Sequence, residues 1–260
     1  MRALENHPRA HFAGLVRRAP GPGERSFDAV LDDSAVDALI LCTPNRQHAP
    51  GAHAALEKGK HVLVEFPLAE TASEGRALFE QARRAERVLH VEHIELLSAG
   101  QKHQRERVKK LGRPLGGGLV FAGASNGWMG DAELAGSPAL RAVARLHRLV
   151  DLFGEAGVSE AQLTSKSSEG YRLEVQLEFR AGGEALLVEE RGPGRTRETR
   201  WVVRCEQGPL DDPPAGPPGS LFREDLDHFI ARVERGVDSY VSEARVLHVL
   251  ELVERIESLV

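Results

Sequence analysis

The chain has 260 residues, of which 41% are hydrophobic and 28% charged, with a formal net charge of -5. That length buries a full core and suits one large domain or two small ones. There is no basic surplus to hold nucleic acid, no run of about 18 apolar residues to span a membrane, and no apolar signal core in the opening MRALENHPRAHF.

Met1–Glu5 reads as the end of a helix, His11–Arg17 as a strand, Gly21–Arg25 as a loop and Ser26–Leu31 as a short helical turn. Two short apolar runs follow, Ala38–Leu41 and His61–Glu65, with a helical segment between them that ends Lys58-Gly59-Lys60. Short apolar runs flanking a helix read as parallel, buried strands. The first run leads into Cys42-Thr43-Pro44-Asn45 and the second into Glu65-Phe66-Pro67, so both polar ends fall at the carboxyl edge of one sheet, where open α/β sheets bind ligands. A helix over Thr71–Arg87 is opened by Thr71 with Ser73-Glu74 in its first turn. Val88–His93 is another strand and Ile94–Leu111 another helix. This alternation predicts an α/β fold, a Rossmann-type doubly wound parallel sheet, over residues 1–97.

The pattern changes from residue 98 onward. Gly117–Ala124 is a strand and Pro138–Phe153 a helix stopped by Gly154. The segments VSEAQLTSKS, YRLEVQLEFR, EALLVEE and TRWVVRCEQ read as strands. In the second of them Leu173, Val175, Leu177 and Phe179 alternate with Glu174, Gln176 and Glu178, the period of an antiparallel strand with one wet face. Gly208–Gly219 reads as a linker, and helices over Leu221–Arg235 and Ser242–Val260 close the chain. Residues 98–260 are therefore expected to form an α+β domain with a mainly antiparallel sheet, whose wet face leaves pairing with a second copy open. The two cysteines, Cys42 and Cys205, sit in different elements, so neither a disulfide framework nor a metal site is expected, and a reducing cytoplasm is the default location.

A dinucleotide-binding half normally opens with a strand, a G-x-G-x-x-G loop and a helix whose N-terminus holds the pyrophosphate. The sequence begins where that helix would be ending, and Gly116-Gly117-Gly118 precedes an apolar strand, the wrong context. Three readings stay open: a start that lies further upstream, dinucleotide binding without the loop, or a relative that has lost binding.

Thr43-Pro44-Asn45 with His48, then Leu56 with Gly59-Lys60-His61-Val62, then Glu65 and Pro67, resemble the Gfo/Idh/MocA oxidoreductases. The resemblance is closer to the biliverdin reductase branch. It is carried by Gly59–Pro67 (GKHVLVEFP), Val88–Leu97 (VLHVEHIELL), Arg145–Glu155 (RLHRLVDLFGE) and Val188–Gly194 (VEERGPG), in the same order through both halves. It implies NADP(H), with NAD(H) as the alternative, and hydride transfer to a small-molecule substrate, a linear tetrapyrrole. The alternatives are a dehydrogenase of another small substrate and a non-catalytic, ligand-binding or dimerising relative. Phe66 stands where the superfamily has lysine and this branch tyrosine, so an acid at that position is gone. His147 and Asp151 do not fall at the histidine and aspartate positions of the sugar dehydrogenases, which disfavours sugar oxidation.

Position and resemblance together name the candidate site. Arg17 and Arg18 follow the predicted second strand, where an arginine accepts the 2′-phosphate of NADP; the alternative is a solvated charge pair. Thr43, Pro44, Asn45 and His48 are placed at the cofactor, with helix capping as the alternative for Thr43 and Asn45 and a packing or capping role, not catalysis, for His48. Glu65 and Phe66 follow as cofactor contacts, and the Phe66–Pro67 bond is a candidate cis peptide. Glu92 and His93 end the next strand and are the candidates for handling a proton. Arg141, Arg145 and Arg148 share a helix face. Arg145 is a candidate for assisting protonation, and Arg141 and Arg148 for holding substrate carboxylates by bidentate pairing; a solvent-facing basic stripe is the alternative. Tyr171, with Arg172 and Trp201, would line the cleft.

Overall fold

The computed structural model describes residues 4, 7–17, 21, 24–165, 170–210 and 221–260. The first sheet holds β1 (Ala38–Leu41), β2 (His61–Val64) and β3 (Leu89–Val91), parallel and in that order. Both its faces are covered at β2 and β3, while Ile40 of the edge strand β1 is exposed. Helices His48–Glu57 and Ala72–Arg84 share one hydrophobic core with Leu39, Leu41, Val62 and Val64, whereas Leu63 packs in a separate cluster with Leu226, Phe229 and Ile230 of the helix Leu221–Arg235. Burial from both sides is why these strands are continuous apolar runs rather than alternating ones.

Lys60, itself buried, ties the loop before β1 down by donating to the carbonyls of Asp33 and Val36. Thr71 caps Ala72–Arg84 in a full capping box with Glu74. Thr71→Ala is expected to cost about 1 kcal/mol in urea unfolding, and Thr71→Ser much less, since the serine hydroxyl still accepts the Glu74 amide. Gly75 lets helix Glu243–Glu257 come close: a Cβ there would stand 3.1 Å from both Leu247 and Leu250.

The second sheet runs β5 (Ala156–Ser165), β6 (Tyr171–Phe179), β7 (Glu184–Gly192), β4 (Pro114–Ala124), β8 (Glu198–Cys205), β9 (Gly208–Pro209). Every neighbouring pair is antiparallel except β4 with β7. Leu173, Val175, Leu177 and Phe179 are buried, as their alternation predicts. Helices Pro138–Arg141, Val143–Phe153 and Glu243–Glu257 pack on this sheet, and Val120, Leu186 and Val202 remain exposed.

The structure departs from the sequence expectations in several places. His11–Arg17 forms no strand; only Val16 bridges to Arg25. Its residues HFAGLVR find one short partner, so the ladder stops after a single pair. The helix expected over Ile94–Leu111 is broken at Ser98, whose extended backbone and hydroxyl cap a second helix, Ala99–Leu111. Pro138–Phe153 is likewise two helices, broken at Ala142. Gly208-Pro209, read as linker, pairs with β8. Most of Met1–Glu5, Lys166-Ser167 and residues 211–219 lie outside the described residues, as does Arg18.

Candidate active site

Because β1, β2 and β3 are parallel, the residues that follow them meet at one edge. His48 fastens two of these loops together: its Nδ1 lies 2.7 Å from the Pro67 carbonyl oxygen and its Nε2 2.8 Å from that of Thr43. Asn45 donates to the Ala135 carbonyl at 2.9 Å, which draws in the start of the second half. The Phe66–Pro67 peptide is cis. The Phe66 ring lies parallel to that of His93, 8° between planes and 6.2 Å between centroids, and His93 meets His147 at 4.0 Å. That contact joins the parallel-sheet edge to the helix Val143–Phe153.

The electrostatics separate the titrating groups. Glu92 is buried, and burial together with the Asp225 carboxylate pushes its carboxyl up to about 8, although the Ile94 amide donates to its Oε1 at 3.2 Å. Burial lowers both imidazoles. His93 falls well below its ordinary value, with His147 and His90 adding to the effect, and His147 falls to about 3, with Arg245 adding. Both rings are neutral at physiological pH. Burial, with the Glu65 carboxylate beside it, pushes the Cys42 thiol up to about 12, so it is no nucleophile.

The three arginines expected on one helix face lie on two helices, Arg141 on Pro138–Arg141 and Arg145 with Arg148 on Val143–Phe153; they turn inward, not to solvent, and each lies over an aromatic ring of a different strand. Arg141 sits 5.5 Å from the ring centre of Tyr171 on β6, Arg145 4.4 Å from Phe121 on β4, and Arg148 4.7 Å from Trp201 on β8. The row therefore crosses the sheet. Arg145 forks onto Glu189 of β7 with two bonds of 2.9 Å, and the same carboxylate accepts from Arg191 at 2.7 Å. Burial alone would lower the Arg145 guanidinium, but Glu189 and Glu95 more than offset it, and its pKa is raised. Arg17 lies elsewhere, paired with Glu24 at 2.5 Å beside the Val16–Arg25 bridge.

Several buried polar atoms on this surface have no hydrogen-bond partner: Thr43 Oγ1, His93 Nε2, His147 Nδ1, Arg141 Nε, Tyr171 Oη and Trp201 Nε1. Leaving such a group unpaired costs about 1–3 kcal/mol, a cost that a polar ligand removes. They run from the end of β1, past β3, along the arginine row to β8.

Comparison with known proteins decides the family. Residues 5–93 match the model of the Gfo/Idh/MocA oxidoreductase family with an NAD-binding Rossmann fold, and residues 107–217 match the catalytic domain of biliverdin reductase. Mouse biliverdin reductase A is 33% identical over 90% of this chain and 79% of its own length. The chain belongs to the biliverdin reductase branch of the Gfo/Idh/MocA oxidoreductases. Human biliverdin reductase A is 30% identical over 99% of this chain and 90% of its own. The biliverdin reductase of Synechocystis sp. PCC 6803, solved with biliverdin and NADP+, superposes with a TM-score of 0.81 at 25% identity, covering 91% of this chain and 83% of that one. The protein is thus an NAD(P)-dependent oxidoreductase. Its parallel-sheet edge suits the nicotinamide side of that cofactor: the buried, unpaired Thr43 hydroxyl follows β1, and the Phe66 ring follows β2. No helix among the described residues is long and apolar enough to cross a membrane.

Sequence reasoning missed Glu189, Phe121, Asp225 and Tyr240. Glu189 had a signal: it continues the inward alternation of Ala185 and Leu187, where a carboxylate needs a buried partner. Asp225 had none, because its partners come from β3 and from the loop before the last helix.

Proposed function

We propose that this enzyme reduces biliverdin, or a closely similar linear tetrapyrrole, at its central methine carbon with NADPH, and that Glu92 supplies the proton. A bound nicotinamide supplies the hydride. Its addition to the methine carbon drives an electron pair onto the adjoining ring nitrogen, which takes one proton. Phe66 has none to give, and the His93 and His147 rings are neutral at the pH of the cell. Glu92 follows β3, next to His93, and still holds its proton at neutral pH. With Oε1 engaged by the Ile94 amide, the proton sits on Oε2, and solvent restores it after transfer.

The observation that carries the substrate reading is the arginine row over aromatic rings, with unpaired polar atoms along it. A flat, conjugated ligand with two carboxylates fits such a wall: guanidinium groups stack on conjugated planes and offer charge-assisted hydrogen bonds. Arg145 is fully engaged by Glu189, whereas Arg141 gives one bond to the Gly136 carbonyl and Arg148 one to Gln101, which leaves their other N–H groups for the carboxylates. Arg148→Gln is expected to raise the KM for biliverdin roughly tenfold with little change in kcat, the loss of one charge-assisted bond made equally in ground and transition states. We assign the NADP preference to Arg17 and Arg18 on their place in the sequence alone, since the strand expected before them is a single bridge.

Calorimetric titration with NADPH and NADH, followed by turnover with biliverdin, tests the reading. Micromolar NADPH binding with bilirubin formed in step with NADPH consumed is expected. NADPH binding with turnover of small carbonyl substrates but not of biliverdin would sink the tetrapyrrole assignment.

A further inference from the structure

The helix Ala99–Leu111 starts at Ser98, whose hydroxyl accepts from the Gln101 amide at 3.2 Å and fixes the first turn. That turn sends the Gln101 side chain inward, where it is fully buried. Its carboxamide makes three hydrogen bonds. Nε2 donates to Asp151 Oδ2 at 2.9 Å and to the Arg148 carbonyl at 3.2 Å, and Oε1 accepts from Arg148 Nε at 3.1 Å. Only one orientation of the amide satisfies all three, because the carboxylate and the carbonyl only accept and the guanidinium only donates. Asp151 is held in turn from two helices. Arg105, on the same helix as Gln101, donates to its Oδ2 at 3.0 Å, and Arg245 of the helix Glu243–Glu257 donates to its Oδ1 at 2.8 Å.

This network occupies one edge of Arg148 and leaves another. Trp201 of β8 lies 4.7 Å from the guanidinium carbon and supports the flat face of the group. Gln101 takes the Nε–H, so a carboxylate cannot approach through Nε and one terminal nitrogen. Nη1 and Nη2 remain. Among the described residues neither meets an acceptor within hydrogen-bond distance: Glu95 Oε2 stands 3.9 Å from Nη1, and its other oxygen accepts from Arg197 at 2.9 Å. An arginine oriented before binding loses less freedom when it meets a carboxylate. We propose that Gln101 is the positioning residue for Arg148: locked by Asp151, it turns the guanidinium so that Nη1 and Nη2 together meet a substrate carboxylate end-on. This rests on the reading of Arg148 as a holder of a substrate carboxylate, and the two fail separately.

The test is Gln101→Met, which keeps the length of the side chain and removes its hydrogen bonds. The KM for biliverdin is expected to rise roughly fivefold with kcat little changed, the loss of one positioning bond present in ground and transition states alike. The KM for biliverdin dimethyl ester, whose carboxylates are masked, is expected to stay unchanged. In the Arg148→Gln background Gln101→Met should add nothing, because the two residues act through one contact. A rise shared by the ester, or one that persists without Arg148, marks a general loss of packing and overturns the proposal. An unmoved KM for biliverdin overturns it too. Solvent exchange of the Arg148 Nε–H, followed by NMR and assigned by its loss in Arg148→Gln, tests the orientation without substrate. Slow exchange that becomes fast in Gln101→Met is expected. Fast exchange in the unaltered protein overturns the proposal, and this measurement decides it alone should Gln101→Met fail to fold. If Arg148→Gln leaves the KM for biliverdin unmoved while the exchange responds as expected, the substrate reading of Arg148 falls and its orientation by Gln101 stands.

Discussion

Glu92→Gln should lose about 10²–10⁴-fold in kcat/KM for biliverdin near neutral pH, the range typical of removing a general acid. The same change should abolish the alkaline limb of the native pH profile. With a carboxyl pushed up to about 8, the native enzyme holds its proton at pH 7 and loses activity as pH rises through that value. Stability must respond in the opposite sense to that of an ordinary ion-paired carboxylate. The ordinary value is 4.5 and the folded value is higher, so between them the folded chain binds a proton that the unfolded chain has released. Unfolding free energy therefore falls with rising pH across that window, by up to about 1.4 kcal/mol per pH unit. Glu92→Gln should flatten that part of the stability profile while it removes turnover. A variant that kept its activity would return the proton to solvent.

Glu189→Ala should be among the most damaging single changes to stability, costing about 3–5 kcal/mol, or roughly 10 °C in thermal unfolding. Glu189 is fully buried, and it is the counter-charge for both Arg145 and Arg191, which lie 4.4 and 4.6 Å from the ring centre of Phe121. Removing it strands two guanidinium groups among apolar neighbours. The double change Glu189→Leu with Arg145→Met should recover part of the loss, because removing both partners of a buried pair costs far less than removing one. If the double variant were no better than the single, the damage would lie in the still uncompensated Arg191 or in packing against Phe121, not in Arg145.

The contrast between these two carboxylates shows how much the sequence discloses. Glu92 was legible, because an apolar run ending in an acid at the carboxyl edge of a parallel sheet is a local pattern. So were Thr43, Phe66 and His93, each at the end of a strand whose period and length are local properties. The inward face of β6 was legible for the same reason: two-residue alternation leaves one choice of buried side. The branch of the family was legible because the motifs GKHVLVEFP, VLHVEHIELL and VEERGPG keep their order through both halves.

What the sequence could not disclose is which charges meet. The row Arg141, Arg145, Arg148 is equally a solvent stripe or a buried wall, and local spacing does not distinguish them. The break at Ala142 and the strand order β6-β7-β4-β8 decide it by laying Tyr171, Phe121 and Trp201 beneath the row. Asp225 lies 135 residues from His90 yet bonds to it, and its field on Glu92 exists only once the helix Leu221–Arg235 has packed against β3. The strand expected at His11–Arg17 failed for the converse reason: apolar residues make a ladder only where a partner lies alongside, and here a single bridge is what tertiary packing supplies. Periodicity and strand-end chemistry are properties of neighbours in sequence, and they determined the fold class and the edge where the candidate site lies. Proton affinity and counter-charge depend on neighbours in space, and only the folded chain decided them.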